Sequence, residues 1–141
     1  MPVLSLTSEE RLKRQGEASP SRIADLIVIG ASAGGHRALA EILRNFTAEL
    51  PAAIVILLHM PLDSAGNLRV SLARSSRLPI VEVRNQKPLR PGLIFVPPPG
   101  WSVTFGRGTI TAKHGVREHP TSTINRLFSS AAQCYGNRVI G

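Results

Sequence analysis

Ser32 and His59 are the residues of this sequence whose types and settings fit acyl-transfer chemistry. Ser32 stands in Gly30-Ala31-Ser32-Ala33-Gly34, which follows the G-x-S-x-G spelling of a nucleophilic serine. The apolar run Leu26-Ile27-Val28-Ile29 leads into it. After it, Ala38, Leu39, Ile42, Leu43 and Phe46 fall near one face of a 3.6-residue repeat. Strand, sharp turn and helix together lift a serine hydroxyl clear of a sheet edge. The glycines let the backbone bend without Cβ clashes and leave room above the serine. Opening helix amides stabilise negative charge on the hydroxyl or on a nearby oxyanion. Two other readings share the motif: Ser32 as a helix cap, or a glycine turn opening a phosphate or dinucleotide site. The dinucleotide spelling G-x-G-x-x-G wants glycine where Ser32 stands, and the phosphate-loop lysine is absent.

His59 follows Ala53-Ile54-Val55-Ile56-Leu57-Leu58, an unbroken apolar run of the kind buried on both faces of a parallel sheet. His59-Met60-Pro61 ends it, because proline cannot continue the ladder. One helix separates the two runs, so strand, helix and strand form a right-handed crossover with parallel, adjacent strands. Ser32 and His59 then meet at the carboxyl ends of neighbouring strands, where open α/β sheets place their sites. There a histidine takes the serine proton as general base. The other reading is a strand-end imidazole bonded to backbone; the presence of Ser32 favours the base.

The elements that must position this pair are also legible. Pro61-Leu62-Asp63-Ser64 before Leu68, Val70 and Leu72 predicts a helix entry capped by Asp63. Strands are expected at Ile80-Val81-Glu82-Val83, with Glu82 outward, and at Leu93-Ile94-Phe95-Val96. Pro97-Pro98-Pro99-Gly100 is a stiff turn after a strand and belongs near the site. Trp101–Phe105 and Thr109–Ala112 flank Gly106-Arg107-Gly108 as a hairpin. Thr121 or Ser122 is expected to cap a helix through Leu127, Phe128 and Ala131 to about Tyr135, closed by Gly136-Asn137. Cys134 on that helix reads as a buried apolar thiol. A further strand starts at Arg138-Val139-Ile140-Gly141. The fold class is α/β: three layers around a mainly parallel, Rossmann-like sheet.

Composition narrows the function classes. The chain has 141 residues, 43% hydrophobic and 18% charged, the range of one globular domain. One cysteine excludes an internal disulfide and fits a reducing, cytoplasmic compartment. No apolar run approaches the roughly 20 residues that span a bilayer, and the amino terminus lacks a signal-peptide pattern. The net charge of +8 comes from dispersed basic residues with only four Phe, one Trp and one Tyr. That is not the aromatic interleaving of a nucleic-acid binder, so no nucleic-acid partner is expected. Dispersed arginines of this kind are mostly solvated surface, and such a surface also suits an acidic target. His36, His114 and His119 lack metal-ligand spacing, so no metal site is expected.

Ile29-Gly30-Ala31-Ser32-Ala33-Gly34-Gly35 and Leu58-His59-Met60-Pro61 resemble the first two active-site motifs of the CheB-type protein-glutamate methylesterases. The resemblance continues through Pro91-Gly92-Leu93-Ile94-Phe95-Val96-Pro97-Pro98. It extends to His119-Pro120-Thr121-Ser122-Thr123-Ile124-Asn125-Arg126-Leu127-Phe128, the four blocks standing in the family's order. The resemblance implies Ser32 as nucleophile and His59 as its base. The implied reaction is hydrolysis of γ-glutamyl methyl esters on chemoreceptors, or glutamine deamidation, through an acyl-enzyme. No cofactor or metal is implied, and the implied partner is a methylated chemoreceptor or another glutamyl-methylated protein. By the same match, the segment around Arg117 and His119 approaches substrate.

Two departures from the family pattern matter. The family commonly has Thr after the nucleophile where this chain has Ala33, though a backbone amide there still serves an oxyanion hole. The family's third triad member is an Asp following the next strand of the sheet, and no residue of this sequence matches it. Asp63 and Glu82, the nearest acids, read as a helix cap and an outward strand residue. Replacing the triad Asp by Asn in a serine protease lowers turnover by about 10⁴. The expected organisation is a polar tail over residues 1–24 and a methylesterase domain over 25–141. That domain is expected to be incomplete at its carboxyl end, without room before Asp25 for a phospho-acceptor receiver domain. The competing readings are an impaired homologue acting as an interaction module, and a nucleotide-binding module using the Gly30 turn.

Overall fold

The computed structural model describes residues 25–59, 68–114 and 120–141. The expected 1–24 tail, the Asp63 cap, Arg117 and His119 lie outside them.

Strand β1 (Asp25–Ser32) leads through a one-turn 3-10 helix (Ala33–Gly35) into α1 (His36–Asn45), and the chain returns as β2 (Ala52–His59). The two strands pair in parallel over their full length, from Asp25 opposite Ala52 to Ser32 opposite His59. Seven of the eight β2 residues are buried and only His59 is exposed, which makes β2 a central strand. On its far side lies β5 (Ile94–Val96), flanked in turn by β3 (Ile80–Glu82). Beyond β1 lies β8 (Val139–Ile140). The sheet order is β3-β5-β2-β1-β8, with every pairing parallel. The expected crossover and parallel sheet are therefore present, and Arg138-Val139-Ile140 does begin a strand of that sheet.

Alternation along the strands sorts their side chains into two cores. Ile54, Ile56 and Leu58 pack with Leu39 and Leu43 of α1 and with Leu68 and Leu72 of α2 (Leu68–Ser75). On the opposite face, Leu26, Val28, Val55 and Leu57 pack with Leu127, Ala131 and Tyr135 of α3 (Pro120–Tyr135). The same core takes Val103, Phe105, Ile110 and Ala112 from a second, antiparallel sheet. Its strands are β4 (Gln86–Pro88), β6 (Ser102–Gly106) and β7 (Thr109–Lys113), in the order β4-β7-β6. The expected hairpin joins β6 to β7, with Gly108 at φ 71° supplying the turn that other residues resist. Three layers result, with the parallel sheet in the middle.

Several expectations are corrected. Helix α1 buries a narrow stripe, so Ala38 and Ile42 are exposed while Leu39 and Leu43 fill the core. Val70 of α2 is likewise exposed. Helix α3 already begins at Pro120, so Thr121 and Ser122 lie in its first turn rather than at its cap. Proline suits a first helical position because its missing N–H would be unsatisfied there anyway. Cys134 is exposed rather than buried, and its thiol donates to the Phe105 carbonyl at 3.1 Å. The Phe105 N–H donates to Ser130 Oγ at 2.8 Å. Two side chains of α3 thus occupy both backbone groups of one β6 residue, on the edge that β7 does not cover.

Gly30 controls how closely α3 approaches β1. A Cβ built on it would lie 2.8 Å from Ile124 Cγ2 and 3.0 Å from Phe128 Cε2. A Cβ on Gly34 would meet open space. Gly30→Ala is therefore expected to cost about 1–3 kcal/mol through overpacking. Gly34→Ala is expected to be neutral or slightly stabilising. Urea-unfolding midpoints of the two variants check the contrast.

Tyr135 lies edge-on to Phe105, with ring centroids 6.1 Å apart. Its hydroxyl is buried near the Gly108 backbone but makes no hydrogen bond of ordinary geometry. Burial raises its pKa above the ordinary value. A raised folded-state pKa means the unfolded chain loses this proton first, so stability falls as pH climbs past about 10. Tyr135→Phe is expected to leave neutral-pH stability unchanged or higher and to flatten the alkaline decline. Thermal unfolding at pH 7 and pH 10.5 measures both.

Candidate active site

Ser32 is the last residue of β1, at φ −95° and ψ 173°. This is ordinary extended backbone, so the serine is presented without the strain of a sharp nucleophile elbow. Its side chain makes no capping hydrogen bond to the 3-10 turn that comes next, and Gly35 stands at the N-cap of α1. Ser32 thus holds the N-cap position of the 3-10 turn without a capping bond: its side chain is exposed and not engaged by the helix. Ala33 opens the turn, and the first amides of such a turn have no intrahelical acceptor.

His59 is the last residue of β2 and the register partner of Ser32. Neighbouring strands run about 4.8 Å apart. Side chains two apart share a face, so Ser32 continues the row of Leu26 and Val28, and His59 the row of Val55 and Leu57. Both rows face α3. The sheet therefore presents hydroxyl and imidazole side by side, at one edge and on one face. Among the described residues no hydrogen bond ties the imidazole to backbone, and none joins it to the Ser32 hydroxyl. Catalytic hydrogen bonds of this kind often tighten only when substrate binds.

His59 opens on a pocket of about 320 Å³ of empty space, mouth included. Its other walls are Leu57, Leu58, Pro97, Pro98, Gly100, Trp101 and Thr123. Ser32 stands at the same sheet edge but is not one of these walls. The stiff turn after β5 is thus beside the site, as its position after a strand predicts, and Gly100 bends it at φ 78°. Trp101 and Thr123 are pocket residues that the sequence pattern does not mark as such. The signal available for Trp101 is its place directly after that turn.

The other candidates do not join the pair. Glu82 on edge strand β3 is ion-paired to Arg84, so its carboxylate is already engaged. His36 heads α1, with Nε2 buried and without a hydrogen-bond partner. His114 stacks on Trp101 at 5.1 Å between ring centroids. Among the described residues no cluster of three His, Cys, Asp or Glu could hold a metal ion. No helix among them is long and apolar enough to cross a membrane.

Comparison with known proteins gives the frame for this geometry. The family model for CheB methylesterase matches residues 27–141. A protein-glutamate methylesterase/protein-glutamine glutaminase of Anaeromyxobacter dehalogenans is 36% identical over 92% of this chain and 39% of its own length. One of Methanosarcina mazei is 31% identical over 96% of this chain, again spanning 39% of the relative. The chain therefore spans about two fifths of the length of these relatives. The crystal structure of the Thermotoga maritima CheB methylesterase catalytic domain superposes with a TM-score of 0.69, at 24% identity. That alignment covers 82% of this chain and 64% of the other, and establishes the shared α/β fold. With its family match running from β1 through β8, this chain belongs to the CheB methylesterase family.

Proposed function

We propose that this chain carries the serine–histidine pair of a protein-glutamate methylesterase acting on methylated chemoreceptors in the cytoplasm. The observation that carries the proposal is the pairing of Ser32 with His59 at the ends of adjacent parallel strands, on one face. The names and identities of the relatives support the same chemistry.

In this reading His59 takes the proton from Ser32 Oγ as the oxygen attacks the γ-ester carbonyl. The Ala33 amide, at the opening of the 3-10 turn, stabilises the oxyanion. His59 then returns the proton to the departing methanol, leaving a glutamyl ester on Ser32. Water, deprotonated by the same imidazole, attacks that ester; glutamate leaves and the serine regains its proton. With a glutamine substrate the same steps release ammonia. Neither cofactor nor metal takes part.

The third group of the family's triad has no match among these 141 residues. Strand β8 lies beside β1, with Ile140 opposite Ile27, and runs toward the edge that holds Ser32. An acid located after such a strand would come to the site from the side of β1 away from His59's strand. Such an acid orients the imidazole and stabilises the imidazolium, a contribution of about 10⁴ in turnover in the protease precedent.

Methanol release from a glutamyl-methylated receptor fragment tests the proposal. The chain is expected to release methanol at a rate above background. Ser32→Ala is expected to abolish even that. Release at the level of Ser32→Ala, from a chain shown to be folded by circular dichroism, contradicts the esterase reading and leaves an interaction module.

A further inference from the structure

A second hollow opens beside the proline turn that follows β5. It holds about 530 Å³ of empty space, mouth included. Pro97 and Pro98 are walls of this hollow and of the pocket beside His59. Its other walls are Leu68, Arg69 and Val70 from the first turn of α2, the strand ends Glu82 and Val96, and Pro99. A chain of contacts ties the two hollows together. Glu82 pairs with Arg84, and the Arg84 guanidinium lies 5.8 Å from the ring centroid of Trp101, a wall of the His59 pocket. One stiff proline ridge thus divides a single cleft in two.

The sheet sets the spacing between the halves. Strand β3 lies two places from β2, about 10 Å away. About three residues of extended chain cover that distance. A polypeptide crossing the ridge with one side chain beside His59 therefore brings another over the second hollow.

The walls say what that second side chain is. Buried Leu68 and Val96 give the hollow an apolar lining suited to a methylene stem. Arg69 and Glu82 are its charged walls, and Glu82 is already paired with Arg84. The guanidinium of Arg69 offers a planar fork of donors that matches a carboxylate.

Resting on the proposed esterase reading, we infer that this hollow is a subsite for the substrate polypeptide. Arg69 is its specificity-determining residue, and it reads an acidic side chain about three positions from the glutamyl ester. Esters are then sorted by their neighbours in the sequence as well as by their own chemistry.

The test uses the full 141-residue chain with Ser32→Ala, so that bound ester is not consumed. Dye-labelled peptides are titrated at low salt and pH 8 and read by fluorescence anisotropy. Each carries one glutamate γ-methyl ester. At a single position, two to five residues before or after the ester, it carries glutamate, glutamine or lysine. At one such position the glutamate peptide is expected to bind about fivefold more tightly than the glutamine peptide, the upper range of a solvent-exposed charge pair. Added salt is expected to shrink that preference. Arg69→Ala is expected to erase it, and Arg69→Glu to transfer it to the lysine peptide. Arg69 is exposed, so neither change disturbs the core, and thermal transitions check this. A merely structural role would move all three peptides alike. Asp63, outside the described residues, is the same in every arm, so the cycle reads only what Arg69 and the peptide share. An absence of acid preference at every position, or a preference that persists in Arg69→Ala, overturns the inference. Serine-dependent methanol release without acid preference overturns this inference alone. An Arg69-dependent preference without methanol release overturns the esterase reading and leaves the subsite standing.

Discussion

The eight-residue parallel pairing of β1 with β2 is the constraint on which the rest of the molecule depends. Both strands are apolar and pair continuously over eight residues, so their register decides which side chains meet α3. A slip would turn Leu26 and Val28 away from α3 and force Ile27 and Ile29 into their places. Once that register is fixed, Ser32 and His59 must come opposite each other, because each is the last residue of its strand. Their juxtaposition is a by-product of hydrophobic burial further along the same two strands. The two strands differ in their continuations: a 3-10 turn after Ser32, and a segment outside the described residues after His59.

The second layer fixes the surroundings of that pair. Gly30 lets α3 lie against β1 at a distance no side chain would allow, two residues before Ser32. Helix α3 in turn holds β6 through Ser130 and Cys134 on the backbone of Phe105. At its amino end it contributes Thr123 to the pocket, while the turn after β5 contributes two prolines and the residue before β6 contributes Trp101. Three separate elements thus converge on the edge where β2 ends. A rigid proline turn and a twice-contacted indole make that convergence firm.

Sequence reasoning reaches the central part of this arrangement because burial leaves a strong pattern. The unbroken run from Ala53 to Leu58 admits few settings besides an interior strand, and a crossover unit has one common hand. Knowing the strands is enough to locate their ends, so Ser32 and His59 are legible. Features that depend on neighbours rather than pattern are not. Gln86-Lys87-Pro88 has no apolar alternation and becomes a strand only because β7 offers it a partner. Ile42 and Val70 match a helical stripe, yet face solvent because α1 and α2 bury less of their surface than the pattern implies. Thr121 has the chemistry of a cap, but proline one residue earlier already suits the first helical position. Trp101 reads as a strand residue, and its place in the pocket comes from the fold of the turn before it.

The central claim is that the β1–β2 register makes Ser32 and His59 a working pair. The most direct measurement is the rate at which a fluorophosphonate modifies Ser32, located by peptide mass spectrometry, in the unaltered chain and in His59→Ala. The account predicts phosphonylation at Ser32 that slows by about 10² or more without the imidazole, in line with the usual contribution of a general base. Modification of Ser32 at the same rate with and without His59, or reaction at another serine, would contradict it.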